Sequence, residues 1–151
     1  MQDDLPTPEL VKKTGKGEVC DDASIWLGVA PTYTPLHRDP NPNLYLQLAG
    51  RKTIRLLHPV AGQAVFDAVQ ATLGSRTSSA KFRGDEMMKG SEKTLLEARI
   101  WPGENIEDGE EVVGFEATLA GGESIFIPQG WWHSVKSVGI GCTGSVNWWF
   151  R

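Results

Sequence analysis

The sequence lacks any apolar stretch that approaches the roughly 20 residues needed to cross a bilayer, so a membrane-spanning helix is not expected. The first 18 residues mix acidic, basic and proline residues and lack the apolar centre of a secretory signal. We therefore expect an intracellular protein, cytoplasmic or nuclear, that does not associate with membranes.

Cysteine is also scarce. Cys20 and Cys142 are the two in the chain, and they lie far apart and outside any Cys-x-x-Cys pattern. Two such thiols are expected to remain reduced rather than to form a disulfide or a zinc site. Histidine is nearly as rare, with three in the chain, so a histidine-containing metal site would have few possible ligands.

The chain carries no excess of positive charge, because its formal net charge is -4 at pH 7. A protein with this balance has no overall electrostatic attraction for nucleic acid. Basic residues do cluster between positions 76 and 99, and we interpret this stretch as the solvated surface of an insert. A nucleic-acid partner is therefore not expected.

Short strand patterns separated by turn residues make up much of the chain. They occur at residues 24–29, 44–48, 52–57, 115–119, 124–128, 131–138 and 144–150. The interruption at Ala49-Gly50 is interpreted as the turn of a hairpin. Residues 59–73 have the apolar spacing of a helix that ends before Gly74, and residues 92–100 fit one or two further helical turns. The pattern predicts a mostly β fold, an antiparallel barrel or sandwich with one or two short helices.

The length of the chain fits one domain, which we predict to span residues 1–151. Residues 1–22 are predicted to form a polar lead-in before the first strand. Residues 75–113 are interrupted repeatedly by glycine and proline and form an insert without a readable pattern. An insert of this length in a compact domain is usually either functional or mobile.

The most informative short pattern is His37-Arg38-Asp39. In an extended segment the side chains at i and i+2 project from one face, so His37 and Asp39 can bind one ion while Arg38 points away. A third ligand then comes from a distant strand, and His133 is the best-placed candidate. Two neutral imidazoles and one carboxylate leave three positions of an octahedron open, the arrangement that non-haem Fe(II) oxygenases use.

Taken alone, a His-x-Asp pattern is weak evidence, because it arises by chance and is more often a surface pair at the end of a strand. His58 is the alternative third ligand. It precedes Pro59 at the apparent end of a strand, where a solvated or core-edge imidazole is the commoner outcome.

Two larger groups of motifs give this pattern its context. The first contains TPLHRD at 34–39, Asn43, QLAGRK at 47–52 and LHP at 57–59, and the second contains GGESIFIPQGWWH at 121–133 and SVNWW at 145–149. In this order they resemble the two halves of the JmjC/cupin-like Fe(II)- and 2-oxoglutarate-dependent oxygenases. The likeness is greatest to the small hydroxylase branch of that family, which includes asparaginyl and arginyl hydroxylases.

The resemblance implies a double-stranded β-helix, the jelly-roll barrel of cupins. It implies Fe(II) bound by His37, Asp39 and His133, with 2-oxoglutarate as the co-substrate. Lys52 matches the family's lysine and would pair with the distal carboxylate of 2-oxoglutarate, since a buried lysine without such a partner is costly. The other implied pocket residues are Thr34, a hydroxyl donor to the same carboxylate, Asn43, near the metal-bound end, Tyr45, a wall of the pocket, and Asn147, on the last strand.

The activity implied by the resemblance is hydroxylation of a protein side chain, with succinate and carbon dioxide as co-products and a protein or peptide as the substrate. A JmjC N-methyl-lysine demethylase is an alternative, and so is a cupin-type module that binds metal or ligand without catalysis. A cupin enzyme that does not use 2-oxoglutarate would normally need a further histidine near the metal. The physiological substrate and the oligomeric state stay open.

Overall fold

The computed structural model describes residues 4–14, 16, 23–74, 89–102 and 114–151. The elements in these ranges are, in chain order, α1 (Glu9–Lys13), β1 (Ser24–Val29), β2 (Tyr33–Arg38), β3 (Asn43–Ala49), β4 (Arg51–Leu57), α2 (Pro59–Thr72), α3 (Gly90–Ile100), β5 (Phe115–Ala120), β6 (Ser124–Ile127), β7 (Trp132–Val138) and β8 (Cys142–Trp149). Of the helices in these ranges, none has the length and apolar character needed to cross a membrane.

The described strands form two antiparallel sheets of four strands each. One sheet has the order β1-β8-β3-β6 and the other the order β2-β7-β4-β5. Tyr45 and Ile127 from the first sheet pack in one apolar cluster with Ile54 and Val135 from the second. The sheets therefore face each other around a common interior, and the predicted mostly β, jelly-roll architecture is confirmed.

The predicted hairpin at Ala49-Gly50 is wrong. β3 pairs with β6 and β8, whereas β4 pairs with β5 and β7, so this turn carries the chain from one sheet to the other. Gly50 permits the corner because its φ of 66° lies in the left-handed region, and a Cβ there would meet the carbonyl oxygen of Cys142 at 2.8 Å. The residue pattern located both strands correctly, but it does not specify which sheet each strand joins.

Helices α2 and α3 cover the outer face of the β2-β7-β4-β5 sheet. Phe66 of α2 and Leu96 of α3 pack in one core cluster with Leu36 of β2 and Trp132 of β7. Burial of each large apolar side chain contributes about 1.5–3 kcal/mol, so this layer holds the helices firmly against the sheet. The helix predicted at 59–73 is confirmed as α2, and α3 is a helix of 11 residues rather than one or two turns.

The described part of the lead-in contains a short helix, α1, that the sequence pattern did not predict. Val11 of α1 is fully buried and packs in a cluster with Trp148 and Phe150. A helix of five residues is too short to show an apolar period, which is why the pattern missed it. Cys142 is exposed with a free thiol, whereas Cys20 and much of the insert lie outside the described residues.

Gly62→Ala is expected to destabilise the protein, although alanine is the better helix former. Gly62 is buried in α2, and a Cβ there would lie 2.2 Å from the indole of Trp132. Glycine to alanine gains up to about 1 kcal/mol at an exposed helical site, but overpacking a core costs about 1–3 kcal/mol. We expect the free energy of unfolding, measured by urea denaturation, to fall by about 1–2 kcal/mol.

The control for this prediction is Ala64→Gly at an exposed position of the same helix. It should lower the free energy of unfolding by about 1 kcal/mol through helix propensity alone. A Gly62→Ala protein that is more stable than the wild type would contradict the close packing of α2 on Trp132.

Candidate metal centre

His37, Asp39 and His133 bring their potential ligand atoms within 4.8 Å of one another. His37 Nε2 lies 3.9 Å from Asp39 Oδ1, and His133 Nε2 lies 3.6 Å from Asp39 Oδ2. Asp39 and His133 are buried, and His37 is half-buried. The structure thus brings together the two imidazoles and the carboxylate that the sequence predicted as ligands of one metal.

Strand pairing explains why these side chains meet. His37 of β2 and His133 of β7 are direct partners in the antiparallel register, and their ring centroids are 4.1 Å apart. The residues next to them along the chain, Leu36 and Trp132, belong to the core under the helices. Because successive side chains of a strand point to opposite faces, the same two strands supply core residues on one face and candidate ligands on the other.

A backbone carbonyl two residues earlier orients each imidazole. His37 Nδ1 lies 2.9 Å from the carbonyl oxygen of Pro35, and His133 Nδ1 lies 3.4 Å from that of Trp131. When Nδ1 donates its hydrogen to the carbonyl, Nε2 carries the free lone pair. In both residues Nε2 is the atom that approaches Asp39. The pair is therefore oriented to bind a metal through Nε2.

Burial favours the neutral form of His133. It lowers the pKa of this imidazole well below the ordinary value of 6.5, and the neighbouring His37 lowers it further, although the carboxylate of Asp39 acts in the opposite direction. Metals bind the neutral imidazole, so protons do not compete for this nitrogen near neutral pH.

His58 does not join the group. Its side chain is exposed, its Nδ1 accepts a hydrogen bond from the backbone N–H of Val60 at the start of α2, and its ring contacts that of Trp131 edge-on at 5.6 Å. A polar side chain that accepts from the first turn stabilises a helix N-terminus. His58 is thus a helix cap, and His133 is the histidine that faces His37.

A second buried polar group surrounds Lys52 of β4. Lys52 is 8% exposed, and its Nζ donates a hydrogen bond to Ser145 Oγ at 2.9 Å and lies 5.9 Å from the centre of the Tyr45 ring. Burial lowers the pKa of Lys52 from the ordinary value of 10.5. Lys52 is therefore a buried cation whose hydrogen-bond acceptor is a neutral hydroxyl.

Tyr45, predicted as a wall of the pocket, and Thr34, predicted to donate to the distal carboxylate, differ in their surroundings. The Tyr45 hydroxyl is buried and donates to Gln47 Oε1 at 3.0 Å, and burial raises the pKa of Tyr45 to about 12, so it stays protonated. Thr34 is half-buried on β2, and its carbonyl oxygen accepts from Ser134 Oγ at 2.8 Å. The structure gives no hydrogen bond between the Thr34 hydroxyl and Lys52, so the predicted role of Thr34 stays a prediction.

Asn43 and Asn147 form a chain of hydrogen bonds that leads away from Asp39. Asn43 Nδ2 donates to Asp39 Oδ2 at 3.1 Å, and Asn147 Nδ2 donates to Asn43 Oδ1 at 3.1 Å. Both side chains are buried, and Asn147 Oδ1 has no hydrogen-bond partner within the described ranges. A buried amide oxygen without a partner is costly, so a bound molecule or water that donates to it would stabilise the site.

Two residues of this region were missed by the sequence reasoning. Ser145, the acceptor for Lys52, and Trp149, which donates to Asp39 Oδ2 at 2.7 Å, lie on β8 at positions that alternate with buried apolar residues. The period-two pattern of β8 was a usable signal for both. Tryptophan on a strand most often packs in a core, so the residue type alone does not indicate that Trp149 donates a hydrogen bond.

Two facing four-stranded sheets with a His-Asp-His group between paired strands define a cupin-type β barrel with a two-histidine, one-carboxylate site. Residues 2–151 match the model of the family described as "Cupin-like domain". The chain therefore belongs to the cupin-like (JmjC) domain family, and the resemblance inferred from its motifs is confirmed.

Curated relatives are similar at low identity. The chain is 30% identical to lysine-specific demethylase JMJ30 of Arabidopsis thaliana over 154 residues, which cover 99% of this chain and 30% of that protein. It is 28% identical to lysine-specific demethylase 8 of Danio rerio, covering 99% of this chain and 32% of the relative. It is 25% identical to the human bifunctional peptidase and (3S)-lysyl hydroxylase JMJD7, covering 89% of this chain and 43% of the relative. The chain thus spans less than half the length of each.

Proposed function

We propose that the protein is an Fe(II)- and 2-oxoglutarate-dependent oxygenase that hydroxylates a protein side chain. The convergence of His37, Asp39 and His133 in a barrel that also buries Lys52 is the observation that carries the proposal. Membership of the cupin-like family supports the same class of chemistry, as do relatives named lysyl hydroxylase and lysine-specific demethylase.

The donor set fits Fe(II). Two imidazole Nε2 atoms and one carboxylate oxygen, from His37, His133 and Asp39, would occupy one side of an octahedral ion and leave three positions for other ligands. When bound, the iron supplies the dioxygen chemistry by which 2-oxoglutarate is oxidised to succinate and carbon dioxide. The same donors accept zinc, nickel or manganese, so the identity of the metal has to be measured.

Lys52 fits the distal carboxylate of 2-oxoglutarate. A buried ammonium group is stabilised most by an anionic acceptor, and its acceptor in the structure, Ser145, is neutral. A dicarboxylate whose other end lies at the metal would bring that anion. We propose that Thr34 acts at the same end of the co-substrate, that Tyr45 forms a wall of the pocket, and that Asn43 and Asn147 act at the metal-bound end.

A protein side chain is the proposed substrate class. In the overall reaction a C–H bond of the substrate becomes C–OH, one oxygen atom of dioxygen enters the product, and the other enters succinate. N-methyl-lysine demethylation begins with the same oxidation at a methyl group, and the names of two relatives favour it as the second candidate.

We also propose that the protein is intracellular and that residues 1–151 form one domain. We propose that neither nucleic acid nor a membrane is a partner.

Turnover of 2-oxoglutarate tests the proposal. The protein is loaded with Fe(II) without oxygen, mixed with 2-oxoglutarate and a peptide library that contains lysine, N-methyl-lysine, arginine and asparagine, and then exposed to air. We expect succinate by NMR and, in the mass spectrum, peptides that have gained one oxygen atom. Loss of a methyl group instead would identify a demethylase.

The controls separate catalysis from binding. His133→Ala protein should form no succinate above background. Wild-type protein that binds Fe(II) and 2-oxoglutarate but forms no succinate with any peptide would indicate a binding module without catalysis. Wild-type protein that fails to bind 2-oxoglutarate in the presence of the metal would overturn the proposal.

A further inference from the structure

Trp149 lies on the face of β8 that carries the polar residues of the site. Ser145 and Asn147 precede it at intervals of two residues, whereas Val146 and Trp148 belong to an apolar cluster. The register with β3 places Trp149 directly beside Asn43. Strand geometry therefore points the Trp149 indole toward Asp39, and its Nε1 donates to Asp39 Oδ2 at 2.7 Å.

The two hydrogen bonds to Asp39 converge on a single oxygen. Asn43 Nδ2 and Trp149 Nε1 both donate to Oδ2, at 3.1 and 2.7 Å. Two donors occupy both in-plane lone pairs of a carboxylate oxygen, so Oδ2 has little capacity left for a metal. Oδ2 lies 3.6 Å from His133 Nε2 and Oδ1 lies 3.9 Å from His37 Nε2, so both oxygens face the ligand group, and the two hydrogen bonds leave Oδ1 as the oxygen available to an ion.

We propose that Trp149 is a positioning residue that, together with Asn43, fixes Asp39 as a ligand through Oδ1 alone. The inference rests on the proposed function, because it assigns a metal to the site. The two hydrogen bonds orient the carboxylate before a metal arrives, and they prevent Oδ2 from occupying a second coordination position. Residues that hold a ligand in this way typically affect metal affinity by about 10–100-fold.

Trp148 provides a matched control on the same strand. It is also a tryptophan of β8 and is buried, but it faces the apolar cluster, and its Nε1 has no hydrogen-bond partner within the described ranges. Replacing either indole by phenylalanine removes an N–H and reduces the ring. A change in metal affinity or in the spectrum of the bound metal that occurs with Trp149→Phe and not with Trp148→Phe therefore reports the hydrogen bond to Asp39.

The experiment is a titration of metal-free protein with Co(II), followed by calorimetry and by the visible absorption of the bound ion. We expect Trp149→Phe to bind Co(II) about 10–100-fold more weakly than the wild type. We also expect its absorption bands to shift in position and intensity as the carboxylate changes its mode of binding. Trp148→Phe should retain the wild-type affinity and spectrum even if its melting temperature falls.

A variant with 3-benzothienylalanine at position 149 keeps the ring shape without an N–H and serves if Trp149→Phe does not fold. Wild-type affinity and spectrum in either Trp149 variant would overturn the role of Trp149 and leave the proposed oxygenase function standing. Absence of Co(II) binding by the wild type would overturn both.

Discussion

His133→Ala is expected to weaken metal binding at least about 100-fold and to abolish 2-oxoglutarate turnover. Removing a residue that only supports a ligand costs about 10–100-fold in metal affinity, and removing a ligand should cost at least as much. The imidazole of His133 is 4% exposed and lies beside His37, so water cannot easily take its place in the same orientation. The two remaining donors, His37 and Asp39, come from one chain segment and do not define one side of an octahedron. Metal affinity by calorimetry with Co(II) and succinate formation by NMR measure the two effects.

His58→Ala is the matched control, because it removes an exposed imidazole outside the group. It should keep metal affinity and turnover, with a loss of stability of about 1 kcal/mol at the α2 N-terminus. Equal metal binding by His133→Ala and wild type, both folded by circular dichroism, would remove the metal assignment.

Lys52→Met is expected to weaken 2-oxoglutarate binding about 30-fold or more, which corresponds to about 2 kcal/mol. The variant keeps most of the side-chain volume but loses the ammonium group that we propose meets the distal carboxylate. Arg51→Met is the charge-matched control, because Arg51 is the adjacent residue of β4 and is exposed. Binding is measured by calorimetry in the presence of Mn(II), and unchanged affinity in Lys52→Met would contradict the assigned role.

Although Lys52→Met should weaken 2-oxoglutarate binding, it is expected to leave the ligand-free protein at least as stable as the wild type. The buried ammonium group of Lys52 has a neutral acceptor, so methionine should leave the free energy of unfolding of the ligand-free protein unchanged or raise it. Because burial lowers the pKa of Lys52, the folded wild type binds fewer protons than the unfolded chain between that pKa and 10.5, and its stability rises with pH there. The advantage of Lys52→Met should therefore be largest near neutral pH and shrink toward pH 10.5. An advantage that grows with pH would contradict this view of Lys52.

The candidate ligands could be predicted from one local rule and from the motifs around a third residue. His37 and Asp39 share a face by strand alternation, and the motifs around His133 supplied the partner from a distant strand. The sequence does not show which distant strand pairs with β2, so the meeting of the two imidazoles is seen only in the register that places His37 opposite His133.

Other features could not be predicted because they depend on the packing of whole elements. The chain changes sheets at Gly50, and a turn residue of this kind is equally compatible with a hairpin. Gly62 has no distinctive local pattern, yet its lack of a side chain gives Trp132 its space. A sequence also cannot distinguish an indole that fills a core from one that donates to a carboxylate, as Trp149 does.

The carboxylate of Asp39 follows a strand of one sheet, while both groups that donate to it, Asn43 and Trp149, belong to the other. Lys52 and Ser145 are joined across the same boundary. A dicarboxylate bound at Lys52 would lie at this boundary and contact residues of both sheets. Binding should then raise the free energy of unfolding of the whole barrel, so that the melting temperature increases with the concentration of 2-oxoglutarate.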